Sequence, residues 1–216
     1  MTTIKATAFT RRRALKAAAG GVLLVGMVLN TTVISDSAAH EATPGAFSPA
    51  AFAEQRFASK VVPEIDRKAA PLADVAKAIA AEPSAAAKNY GAARSASALV
   101  FSVTFSGTAG KADDTGLMPV TVQGLPPGTK VFVQTGPAIN GTAVRDATKQ
   151  VKFGDFKNQV EYQNVGAELN EQVKKIVLGK VDRASLNAHT VAVTGVFEYV
   201  NPTAFIVTPV KISEEK

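Results

Sequence analysis

"LVFSVTFSG", residues 99–107, decides the architecture of this chain. Leu99, Phe101, Val103 and Phe105 alternate with Ser102, Thr104 and Ser106. A period of two throws successive side chains to opposite faces, so the stretch predicts a β-strand with one buried face.

The pattern repeats downstream. "GKADDTG" (110–116) is a polar turn, "LMPVTVQ" (117–123) a second strand, and "GLPPG" (124–128) a turn in which Gly128 suits a positive φ. "TKVFVQTGPAI" (129–139) predicts a third strand, and Thr142 is a candidate cap for a short helical turn. Val165, Leu169, Val173, Ile176 and Val177 mark a helix that stops before Gly179. "HTVAVTGVFEYV" (189–200) and "AFIVTPVKI" (204–212) predict the last two strands. The order β-β-β-α-β-β is that of an OB-type barrel, in which the helix is expected to plug one end.

Upstream of the strands, "SPAAFAEQRFASKVVPEI" (48–65) predicts a helix with Ser48 as N-cap, Pro49 at its first position and Pro63 ending or kinking it. "PLADVAKAIAAEP" (71–83) predicts a second, with Leu72, Val75, Ala76 and Ile79 on one apolar stripe. A third short turn of helix runs from Pro83 to near Gly91. These helices are expected to cover one end of the β domain. The fold class is therefore α+β: a five-stranded OB-like barrel with a helix between strands 3 and 4, preceded by a short helical segment and an N-terminal export signal. The divisions fall at residues 1–39 (signal or anchor), 40–96 (linker and helical segment) and 97–213 (barrel).

The leader carries the compartment. Lys5 to Lys16 form a basic region, Ala17 to Leu29 an apolar run, and Ser37-Ala38-Ala39 a small-residue cleavage pattern that would leave His40 as the new N-terminus. "TRRRALK" (10–16) resembles the twin-arginine consensus with Arg11 and Arg12 as the pair, though Ala14 stands where a large apolar residue is preferred; the general secretory route stays open. Residues 17–34 could instead remain as an uncleaved anchor, a span interrupted by Asn30, Thr31 and Thr32. Either way the body lies outside the cytoplasm, in the periplasm, with membrane contact only through 17–34 if the leader is uncleaved.

Charge and composition exclude several functions. The net charge of +6 comes largely from the leader, whose residues 1–39 hold five basic side chains and the single acid Asp36; 19 basic and 17 acidic residues remain, a net of +2. That is a weak footprint for phosphate. With no cysteine there are no disulfides, thiolate ligands or lipidated cysteine. The two histidines, His40 and His189, sit in no metal-spaced or His–carboxylate motif, and neither a G-x-S-x-G nor a P-loop is present. The reading is a non-enzymatic protein without a cofactor or metal. The strand aromatics Phe101, Phe105, Phe197 and Tyr199 share a face with aliphatics, which makes them core and argues against a nucleic-acid platform.

One segment breaks the pattern. "FGDFKNQVEYQNVGAELN" (153–170) contains three asparagines and two glutamines. With Arg145 and Asp146 just upstream, it supplies the candidate ligand- or partner-binding residues Arg145, Asp146, Asp155, Asn158, Gln159, Tyr162 and Asn170. Amides, carboxylates and an arginine beside aromatics suit sugar hydroxyls and ring faces. The same residues suit a buried network, with Arg145 on Asp155 and the amides holding loop backbone. Arg145, Asp155, Asn158 and Gln159 are expected to converge in either case. Gly136, Gly141, Gly154 and Gly166 are assigned to turns.

The stretch from Gly136 to Asn170, with "FAEQRFASKVVPEI" (52–65) upstream, resembles a bacterial family of unknown function described as predicted periplasmic lipoproteins. The resemblance covers residues 47–212 and implies an OB barrel with an added helical segment. It also implies an association with sugar ABC importers, beside whose genes those of the family tend to lie, and hence a periplasmic protein or importer component as partner. The expected function is a non-enzymatic periplasmic accessory or binding protein. The alternative is an OB-fold binder of nucleic acid or oligosaccharide.

Overall fold

A computed structural model of the chain describes residues 47–91, 93–94 and 98–215. The leader, its cleavage pattern and the linker from His40 lie outside the described residues. Five strands carry the architecture: β1 Leu99–Ala109, β2 Leu117–Thr121, β3 Lys130–Gln134, β4 Thr190–Tyr199 and β5 Ala204–Glu214. β1 runs antiparallel to β4 from Leu99↔Tyr199 to Thr108↔Thr190, and its end pairs with β2 at Thr108↔Thr121 and Ala109↔Val120. β2 pairs with β3, β3 runs parallel to β5, and β5 returns antiparallel to β4 with a bulge at Thr194/Gly195. The circuit 1-2-3-5-4-1 closes the sheet into a barrel and removes its open edges.

The alternation in β1 becomes the barrel's inside. Phe101 stands opposite Phe197 in register, and their rings stack 5.5 Å apart. Phe205 of β5 stacks on Phe197 at 4.6 Å, so one aromatic column joins three strands. Val103, Met118, Val133, Val193 and Val207 fill the rest, all within 1% of full burial.

Helices complete two separate cores. α1 (Pro49–Arg56) starts at Ser48, whose hydroxyl accepts from Ala51 N at 3.2 Å. It runs on through a π-helical turn, Phe57–Val61, into α2 (Val62–Lys68). Pro63 therefore does not end the helix. It sits in the first turn of α2, and the wider π turn just before it accommodates the missing N–H, with Val62 N reaching back to Phe57 O. α3 (Leu72–Ala81) and α4 (Pro83–Asn89) follow, the latter capped by the Glu82 carboxylate on Ser84 N and Ala85 N. Leu72, Val75, Ala76 and Ile79 of α3 belong to the same buried cluster as the barrel interior.

The long helix between β3 and β5's partner β4, α6 (Gln159–Gln172), does something other than plug the barrel. Its Val165 and Leu169, with Val173 and Val177 in the π-helical turn that continues it, pack with Ala53, Phe57, Val61 and Ile65. That second core lies on the outward-facing strand residues Val100, Val196 and Val210. The interior is completed by the N-terminal α3 instead. Both helices carry an apolar stripe, and a stripe specifies that a face is buried without naming its partner.

Candidate functional site

The polar residues from Arg145 to Asn170 are expected to form a binding site or a buried network, and several of them are engaged within the protein. α5 (Ala143–Asp146) places Arg145 and Asp146 against α6. The Arg145 guanidinium donates twice to the Asp146 carboxylate, from Nε at 2.7 Å and from Nη2 at 3.0 Å. Its plane lies 3.9 Å over the Tyr162 ring, and the Tyr162 hydroxyl donates to Asp146 Oδ1 at 3.2 Å. Burial raises the Tyr162 phenol above its ordinary value; the positive charge of Arg145 opposes that and the negative charge of Asp146 adds to it.

Gly166 lies within α6 and serves no turn. A Cβ there would meet Arg145 Nη1 at 3.4 Å and Cδ at 3.5 Å, at the limit of ordinary contact, so the arginine side chain lies directly against the helix at this position. Asn170, buried, donates its amide to Gly141 O at 2.9 Å and Ile139 O at 3.3 Å, holding the loop after β3.

The remaining candidates do not join this group. Asp155 closes its own 3-10 turn, accepting from Lys152 N at 3.4 Å, and makes no pair with Arg145. Asn158 caps α6 through Glu161 N at 2.9 Å, and Gln159 is exposed on the first turn. The expected pairing of Arg145 with Asp155 is therefore not made, and neither Asn158 nor Gln159 bonds to this group. Asp146 is the neighbour in sequence and wins the cation, while a helix N-terminus needs the Asn158 side chain for its own unpaired N–H groups.

A second network escaped sequence reasoning. Glu64 of α2, 4% exposed, accepts from Lys68 Nζ at 2.7 Å, Thr148 Oγ1 at 2.8 Å, Lys149 N at 3.0 Å and Gln150 Nε2 at 3.0 Å. Burial alone would raise its carboxyl, but the four donors outweigh it and bring it down to about 2. The i, i+4 spacing of Glu64 and Lys68 was the available signal.

Beside the first network opens a cleft of about 360 Å³. Three connections converge on it: residues 115–117 between β1 and β2, 138–143 after β3, and 200–204 between β4 and β5. Gly116, at φ +84, turns the first of these onto the end of β3, where Gly116 O accepts from Thr135 N at 2.7 Å and Thr135 Oγ1 at 2.8 Å. The floor is polar and already satisfied: Gln134 donates to Thr208 Oγ1 at 2.7 Å and Asn140 O at 3.1 Å, and accepts from Asn140 N at 2.8 Å. Asn201 Oδ1 accepts from Thr203 N and Oγ1, while the amide N–H groups of this exposed side chain make no bond among the described residues.

Glu198 is the acid of the cleft. The one hydrogen-bond partner of its carboxylate among the described residues is Thr142 Oγ1 at 3.2 Å, and that hydroxyl also reaches Asp146 Oδ2 at 2.6 Å. A hydroxyl has a single proton, and the shorter contact takes it. Half-buried Glu198 is left facing the cleft with unused acceptor capacity, beside Ile206, 46% exposed, and Val200, 75% exposed. Among the described residues neither lysine, arginine nor an aromatic ring lines the cleft. The sequence signal was parity: Phe205 and Val207 point inward, so Ile206 is an apolar residue on an outward position, and Glu198 is likewise outward between inward Phe197 and Tyr199.

The fold is that of an OB-type barrel protein, and one solved structure bears directly on it. A crystal structure of an OB-fold protein from Thermotoga maritima MSB8 matches with a TM-score of 0.60 at 18% identity, over 79% of this chain and 99% of that one. The family model for predicted periplasmic lipoproteins (DUF2291) matches residues 19–213, and the chain belongs to that family. A comparison with curated proteins returned no match. The family label has one departure here, since no cysteine is present to carry a lipid.

Proposed function

We propose that this protein is a non-enzymatic, extracytoplasmic binding protein that holds a small polyhydroxylated molecule of the sugar class in the cleft at Glu198, in support of a sugar importer. The observation that carries the reading is Glu198: a half-buried carboxylate short of donors, set beside exposed apolar surface. A ligand that fits must bring hydrogen-bond donors for the carboxylate and C–H surface for Ile206 and Val200. An anion meets no cation there, which argues against the nucleic-acid alternative. No motif or metal-spaced cluster supports catalysis; among the described residues no group of acidic and histidine side chains could hold a metal. Family membership supports the envelope location. Export runs by the twin-arginine or the general secretory route, and Arg11→Lys with Arg12→Lys stops it on the first and leaves it unchanged on the second.

The test is calorimetry on the purified chain with pentoses, hexoses and disaccharides, with spermidine as an ammonium probe and oligothymidine as a nucleic-acid probe. A sugar binds, and Glu198→Ala weakens it by roughly tenfold or more, the worth of a charge-assisted hydrogen bond. Glu198→Gln keeps part of the affinity, because an amide oxygen still accepts from a hydroxyl. Spermidine binding lost in Glu198→Gln would redirect the reading to amines. Salt-sensitive oligothymidine binding would overturn it.

A further inference from the structure

Among the described residues four large apolar side chains are exposed, Val200 and Ile206 in the cleft and Phe153 and Val160 elsewhere. The second pair sits where α6 begins, at 54% and 64% exposure. Phe153 is the outer member of an aromatic cluster. Phe47, Phe52 and Phe156 meet edge to face at 5.3 to 5.7 Å, Phe156 touches Tyr162 at 5.6 Å, and Phe153 touches Tyr162 at 5.5 Å. An inward-packed aromatic cluster that still leaves a phenylalanine half in water is a surface of the kind that meets a partner.

We infer that this aromatic end of the body docks on the surface of a bilayer that carries anionic lipid. Two observations choose this occupant. The first is where the chain enters. Phe47 is part of the cluster and follows the apolar run ending at Ile34 by 13 residues. A segment of that length spans at most about 45 Å, so while the leader occupies a bilayer this end stays within that reach of it. The second is charge. Lys149, Lys152 and Lys157 are exposed and flank Phe153 in sequence, and the Arg56 guanidinium lies 4.1 Å over the Phe52 ring. These cations outnumber the carboxylates of the same stretch, Asp155 and Glu161, which leaves this end net positive. Phenylalanine and valine enter the headgroup region while lysines meet anionic phosphates, the division of labour of interfacial binding.

The absence of tryptophan from the chain makes the test direct. Phe153→Trp and Val160→Trp each install a single reporter at an exposed position of the full chain, and Ile206→Trp does so in the cleft. Each variant is reconstituted into vesicles of phosphatidylethanolamine and phosphatidylglycerol, with and without brominated acyl chains. Emission from 153 and 160 shifts to the blue and is quenched by bromolipid, while emission from 206 is not. Replacing phosphatidylglycerol with phosphatidylcholine, or raising salt, reduces the quenching at 153 and 160. Unquenched emission at both positions, or equal quenching at all three, overturns the inference. So does a blue shift in detergent-free solution without vesicles that grows with protein concentration, which would assign the face to a second copy of the chain.

Discussion

The network around Asp146 and the cleft at Glu198 share Thr142, lie side by side, and treat their carboxylates in opposite ways. Asp146 receives two guanidinium bonds, a phenol and a threonine hydroxyl. Glu198 receives what is left of that same hydroxyl. In one region the chain supplies a donor for each acceptor lone pair it buries; in the other it stops short next to exposed apolar surface. Abundance of polar side chains is therefore a poor guide to a binding site. In the polar-rich segment the buried Asp146 carboxylate is the saturated one, and the candidate site rests on a single undersupplied acid.

The contrast makes predictions that differ in size. Asp146→Ala removes the partner of a buried guanidinium and should destabilise the protein by about 3–5 kcal/mol in chemical denaturation. A loss under 1 kcal/mol would mean the network is not what holds α5 to α6. The Glu64 carboxyl gives the next largest effect. Its value of about 2 in the folded protein lies below its ordinary 4.5, so its stabilisation is fully present above about pH 4.5 and is lost as pH falls through 2. The difference amounts to about 3 kcal/mol, and a Glu64→Gln variant should show a correspondingly flatter stability profile over that window.

Smaller changes sharpen the comparison at its edges. Asn158→Ala removes a cap and should cost about 1 kcal/mol, whereas Asp155→Ala on the neighbouring exposed turn should stay within about 0.5 kcal/mol. Equal losses would restore the grouping of these two residues that the geometry separates. Glu198→Gln should likewise leave thermal unfolding within about 0.5 kcal/mol of the parent, since little in the protein depends on it. A large loss there would make Glu198 a member of the network rather than a residue of the cleft.

Much of this molecule is written in local pattern. The alternation of Leu99 to Phe105 fixed which side chains face inward, because a pleated strand has no other way to place them. Ser48, Pro49 and the stripe of Leu72, Val75, Ala76 and Ile79 announced helices that formed where expected. The order of elements then sufficed for the OB barrel, since short connections and closure leave few alternatives. What the chain alone left open was partnership between distant segments. Which helix completes the barrel was settled by packing: α3 and α6 are both striped, and only the folded arrangement gives the interior to one and the outer face to the other. Arg145 had several acids within reach in sequence, and the distance of 2.7 Å to Asp146 chose among them. Glu198 and Ile206 lie on different strands from the polar segment, so no window of sequence contains the cleft. Hydrogen-bond supply is a property of the assembled neighbourhood, and it becomes visible only when the barrel has brought β3, β4 and β5 together.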